Sequence, residues 1–173
     1  MRIIETKVYK FEELSDEAKK VALEEQYQFE IEMEWWEYLY SEAEGLGFEI
    51  TEFNIYHYCR GNFKDSACEI AENIIFNHGE HCDTYKTAKS FLEDWKKLVI
   101  KYSDGVDISR VAEGNEYDFD NEADDLEDEF KRSLFEDYRI LLKQDFEALS
   151  DEEHLVEMIT INNYEFTEDG KLI

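Results

Sequence analysis

NEADDLEDEFKRSLFEDYRILLKQDFEAL, residues 121–149, is the stretch whose reading decides the architecture. Leu126, Phe130, Leu134, Tyr138, Leu142, Phe146 and Leu149 recur at three- and four-residue steps, so one helix carries a single apolar stripe. At about 1.5 Å per residue it would be on the order of 40 Å long, the longest element of the chain. On its C-terminal side Ser150 and Glu153 form a capping-box pattern that predicts a further short helix through Ile159. On its N-terminal side residues 103–120 read as irregular, punctuated by Gly105 and Gly114.

Working further outward, a helix following Asp83-Thr84 buries Tyr85, Ala88, Phe91, Leu92, Trp95 and Val99. Asp65 or Ser66 caps a helix over 67–78 that Gly79 stops. Residues 48–58 read as a strand and Arg60-Gly61-Asn62 as a turn. Ser15 caps another helix, with Asp16 and Glu17 in the first turn, where the helix dipole favours them. That helix runs on to Gly45 or Gly47, with a break near Glu30, and Phe29, Met33, Trp36, Tyr40 and Ala43 form its later stripe. Residues 2–10 read as a strand, and Asp169-Gly170 is a tight-turn dipeptide near the end of the chain. The expectation is an α+β fold, mostly helical. Its small antiparallel or mixed sheet is built from the N-terminal strand, the strand near residue 50 and the C-terminal segment. A single domain spans 1–173, with 103–120 as the place for any sub-division.

Charge then narrows the function. The 173 residues hold 45 Asp+Glu against 18 Lys+Arg, a net charge of −27, yet 43% are hydrophobic. Disorder needs low hydrophobicity as well as high charge, so a packed core is expected. No apolar run is long enough for a membrane span, and the N-terminus lacks a signal-peptide core. Direct binding to nucleic acid or anionic lipid is disfavoured by repulsion between like charges. Proline is absent, against an average near 5%, which suits long helices. Three cysteines, Cys59, Cys68 and Cys82, make no disulfide framework and suit a reducing, cytoplasmic setting.

The charge is unevenly placed. Residues 11–60 carry 14 acids and three bases, and residues 113–129 carry ten acids and no base. Between them, residues 61–112 carry nine acids and seven bases. Two acidic blocks therefore flank a nearly neutral middle.

Motif chemistry is sparse. His57, Cys59, Cys68, His78, His81 and Cys82 lack the paired spacing of a zinc site. Asp118, Asp120, Glu122 and Glu129 match four positions of a calcium loop, but Ala123 stands where that loop needs glycine. No nucleophile elbow, phosphate-binding loop, dinucleotide fingerprint or zinc-protease motif is present. The expectation is a non-enzyme without a cofactor, acting through contact with a protein.

Two acidic faces are the candidate contact surface: Glu30, Glu34 and Glu37, which share one face if that segment is helical, and Asp118, Asp120, Glu122, Asp124, Asp125, Glu127, Asp128 and Glu129. Along a helix such carboxylates lie on the order of 5 Å apart, comparable in density with phosphates spaced about 3.4 Å on a DNA strand. Trp35 lies off the buried stripe and serves either as an interface anchor or to close the core edge.

Residues 7–19 (KVYKFEELSDEAK), the Trp35-Trp36 region, His81-Cys82-Asp83-Thr84-Tyr85-Lys86 and the ending from Asn163 to Leu172 together resemble small acidic phage and prophage proteins of low-GC Gram-positive bacteria. Members of that group are often labelled uncharacterised, or loosely antitoxins, and the chain is similar in style to phage anti-CRISPR inhibitors of type II Cas9. The resemblance implies an anti-defence protein of the host bacterial cytoplasm. Its partner would be a Cas9–guide RNA complex or another host defence nuclease, held through a DNA-mimicking surface. An acidic, antitoxin-like partner of some other basic protein is the alternative; a merely solvated or halophilic surface is a third.

Overall fold

The computed structural model describes residues 7–103, 111 and 114–173. The fold is α+β and mostly helical: α1 (Asp16–Glu32), α2 (Glu37–Leu46), β1 (Phe48–Asn54), β2 (Tyr58–Phe63), α3 (Ala67–Asn77), α4 (Asp83–Tyr102), α5 (Glu116–Leu149) and α6 (Glu152–Ile161). It forms two compact units, 1–37 with 143–173, and 38–142. The borders thus fall at 37/38 and 142/143. Among the described residues no helix is long and apolar enough to cross a membrane.

In the first unit Ser15 caps α1 as expected, accepting from the Ala18 N–H at 3.2 Å. Phe11, Leu14, Ala18, Ala22, Ile159 and Phe166 form the core. Tyr9 and Phe166 exchange two backbone hydrogen bonds of 2.9 Å. Among the described residues the two ends of the chain therefore do pair, through the Tyr9–Phe166 bridge, while the sheet near residue 50 is a two-stranded hairpin without them. The part of the expected N-terminal strand before residue 7 lies outside the described residues. Gly170, at φ +87°, turns the C-terminal segment so tightly onto α1 that any Cβ would collide with the Ala18 carbonyl. The cap of α6 is Asp151, accepting from His154 at 3.3 Å, in place of the expected Ser150. A carboxylate one residue later does the same work at the helix N-terminus.

The expected break near Glu30 lies at residues 33–36 instead. Met33 ends α1 in an extended conformation and its carbonyl accepts from Trp35 at 2.8 Å. A continuous helix would set Glu30, Glu34 and Glu37 at like-charge spacings, which the break relieves. It also undoes the expected stripe: Phe29 and Met33 are about half exposed, at 49% and 53%.

The second unit is built on a hairpin packed against α5. β1 and β2 pair antiparallel, from Phe48↔Phe63 to Asn54↔Tyr58. The turn is 55–57, not Arg60-Gly61-Asn62, because Asn54 caps it twice: its side chain accepts from Tyr56 at 3.0 Å and its carbonyl from His57 at 2.9 Å. Gly61 sits inside β2 for a packing reason, since a Cβ there would collide with the Glu49 carbonyl oxygen of β1 and lie 2.8 Å from the Phe135 ring. Phe48 meets Phe135 and Tyr138 edge-on at 5.7 and 5.0 Å, and Phe91 stacks on Phe130 at 4.4 Å. Ser66, not Asp65, caps α3, in a reciprocal capping box with Glu69.

Candidate partner-binding surface

Most of the second acidic block proves to be helix. Residues 116–120, expected to be irregular, are the first turns of α5. Gly114, at φ +93°, allows the entry, and the Glu116 carboxylate accepts from its N–H at 2.8 Å. Glu116 and Asp118 in the first turn also meet the positive end of the helix dipole. A calcium loop is incompatible with this geometry, because Asp118 through Glu129 lie on continuous helix. Among the described residues no group of three or more His, Cys, Asp or Glu is gathered to hold a metal ion.

Helical periodicity sorts the carboxylates. Ala123 and Phe130 point into the core, and Asp118, Asp120, Asp124, Asp125, Asp128 and Glu129 are exposed. None of these six side chains has an ion-pair partner among the described residues. Asp118, Glu122, Asp125 and Glu129 follow i, i+4, i+7, i+11 spacing, one face about 16 Å long. Two of the expected surface groups behave differently. Glu122 is taken up by Lys101 at 2.6 Å and by the Tyr102 hydroxyl at 2.8 Å, which hold it below the usual carboxylate range. Glu127 is half-buried, and burial first, then Asp124 and Asp128, push its pKa up.

The first block makes no comparable face. Glu30 is half-buried and accepts from the Gln26 amide at 2.7 Å, Glu34 lies between helices, and Glu37 opens α2. Trp35 is half-buried, 5.4 Å from Trp36 and 5.6 Å from Phe146, closing the edge of an aromatic cluster in the first unit.

Several groups carry no local sequence signal. Tyr138 is fully buried and its hydroxyl donates to Glu42 at 3.0 Å. His78 lies 3.7 Å from Glu42 through Nε2 and 2.7 Å from the Thr84 hydroxyl through Nδ1. Asp137 accepts from the Thr87 hydroxyl at 2.7 Å, and burial raises its pKa. Burial also pushes the Cys59 thiol up to about 12 and Cys68 to about 11, so neither is an activated nucleophile. A groove of about 720 Å³ runs between β2 and α5.

No protein-family model, curated protein or solved structure matches the chain. The surface must be read from its own chemistry.

Proposed function

We propose that this protein is an acidic decoy that occupies the cationic nucleic-acid channel of a partner protein. The observation that carries the reading is the set of six exposed carboxylates on the N-terminal half of α5 without ion partners among the described residues. A rigid helix holds them at a density close to that of a phosphate backbone, so little ordering cost is met on binding. Arginine-rich channels that track phosphates would meet them through charge-assisted hydrogen bonds. The resemblance to phage anti-defence proteins directs the reading to a Cas9-type nuclease, whose PAM-reading arginines and duplex groove are two such targets. In this reading the protein works in the host bacterial cytoplasm, without catalysis or cofactor.

The test is a DNA-cleavage assay with a Cas9–guide RNA complex at two salt concentrations. Inhibition that weakens as salt rises is expected, because exposed charges beyond a Debye length of about 8 Å are screened. Replacing Asp118, Asp125 and Glu129 together by amides should reduce inhibition more than the matching replacement of Glu30, Glu34 and Glu37. Cleavage unaffected at every salt concentration would rule out this nuclease as the target.

A further inference from the structure

His78 ends α3, where its N–H donates to the Ile74 carbonyl at 2.8 Å, and its side chain is only 11% exposed. The ring meets two other helices. Nδ1 lies 2.7 Å from the buried Thr84 hydroxyl in the first turn of α4, and Nε2 lies 3.7 Å from Oε1 of Glu42 on α2. Nε2 is itself buried and has no hydrogen-bond partner among the described residues. A buried polar atom in that condition costs free energy unless a partner answers it.

Glu42 has the complementary need. Its side chain is 25% exposed and accepts from two hydroxyls, Tyr138 of α5 at 3.0 Å on Oε2 and Tyr38 of α2 at 3.4 Å on Oε1. Neither brings a positive charge. Among the described residues no lysine or arginine pairs with Glu42. The surrounding titratable groups bring none either. Cys59 of β2 is a buried thiol, Asp83 beside Thr84 is held by Lys86 at 2.7 Å, and Glu80 and His81 of the α3–α4 loop are exposed. A protonated His78 is therefore the countercharge placed to meet this carboxylate.

We infer that His78 and Glu42 form a proton-operated clasp, which ties α2 to the junction of α3 and α4. With a proton on each ring nitrogen, Nδ1–H donates to the Thr84 hydroxyl and Nε2–H to Glu42, closing to the 2.7–2.9 Å typical of a charge-assisted bond. With one proton gone, the ring either turns a bare nitrogen toward the carboxylate or offers a neutral N–H from 3.7 Å, too far for a hydrogen bond. Histidine exchanges its second proton between about pH 5 and 8, a range in which an ordinary carboxylate is ionised. The carboxylate favours the proton in the folded chain. The clasp's stabilisation is therefore complete where the imidazole is fully protonated and is lost as rising pH removes that proton. Tyr138 shares the carboxylate, so α5 is held by the same centre. The clasp does not rest on the decoy reading, since none of its residues belongs to the exposed acidic set.

The test follows the ring nitrogens of His78 by NMR between about pH 5 and 8, in the native protein and in Glu42→Gln. His78 should bind its second proton about tenfold more weakly in the variant, the least that an opposite charge at this range supplies. The exposed His57 and His81 should titrate alike in both proteins. In chemical denaturation, His78→Gln should lose more stability at about pH 5.5 than at about pH 8. In the Glu42→Gln background the two losses should be equal. A purely structural role for His78 would give the same loss at both pH values. That result would overturn the clasp, as would equal proton affinity with and without the Glu42 carboxylate. Where either variant fails to fold, the native titration decides, because a ring that keeps one proton throughout the range also overturns it.

Discussion

The Lys101 ammonium lies 2.6 Å from one Glu122 carboxylate oxygen and 2.7 Å from the other, joining the last turn of α4 to the second turn of α5. The pair removes one charge from the middle of the row that begins at Asp118. It also orders the start of a helix otherwise lined by mutually repelling acids.

Lys101→Ala should therefore do two things. It should raise affinity for a cationic partner at low salt, because Glu122 rejoins the exposed row, and that gain should vanish as salt rises. It should also loosen the first turns of α5, read as faster amide exchange over residues 116–122. Because the Glu122 pKa is lowered in the folded state, the pair's contribution is present above the ordinary carboxylate range. It should disappear as pH falls through the folded value.

Phe130 is 3% exposed, stacked on Phe91 at 4.4 Å and tilted against Phe63 at 5.7 Å. It joins α4, α5 and the hairpin. Phe130→Ala should cost about 3–5 kcal/mol in chemical denaturation. Phe76→Ala, at a ring 88% exposed, should leave the midpoint within about 0.5 kcal/mol.

Tyr138→Phe keeps the buried ring and deletes its bond to Glu42. A hydrogen bond to a charged acceptor contributes about 1.5–3 kcal/mol, and that loss should appear in the unfolding free energy at neutral pH. Burial and the neighbouring Glu42 carboxylate push the Tyr138 phenol far above the usual range. An absorbance titration of the native protein should accordingly fall at least one phenolate short of the tyrosine content until the chain unfolds.

Asp137→Asn should stabilise the protein at neutral pH. Burial raises the pKa of Asp137, so its ionised form opposes folding above the folded pKa. That penalty fades as pH falls through the folded value and is absent below the unfolded one. The amide oxygen still accepts from Thr87, whose hydroxyl is 2.7 Å away. Thermal melts of the two proteins should differ at pH 7 and converge at pH 3.

Local signals served the helices well. The stripe from Phe130 to Leu142 and the caps at Ser15 and Ser66 act within one or two turns, so sequence spacing is enough to see them. Misreadings arose where a distant group decided a local matter. Gly61 looks like a turn residue until the Glu49 carbonyl of the paired strand, with the Phe135 ring behind it, occupies the place of its side chain. Met33 fits an apolar stripe until α1 ends beneath it. The candidate surface divides the same way: its acidic residues are plain in the sequence, but the loss of Glu122 to Lys101 and the turning-in of Glu127 are not.

By itself, then, the sequence determined the amount of charge, its two blocks, and a mostly helical chain with room for a core, because composition and 3.6-residue periodicity are local properties. Tertiary structure alone decided which carboxylates lack an ion partner among the described residues, where the hairpin turns, and that β2 packs beside α5. Each of those outcomes depends on partners brought together across the chain, and neutralisation or pairing acts only over the few ångströms that folding creates.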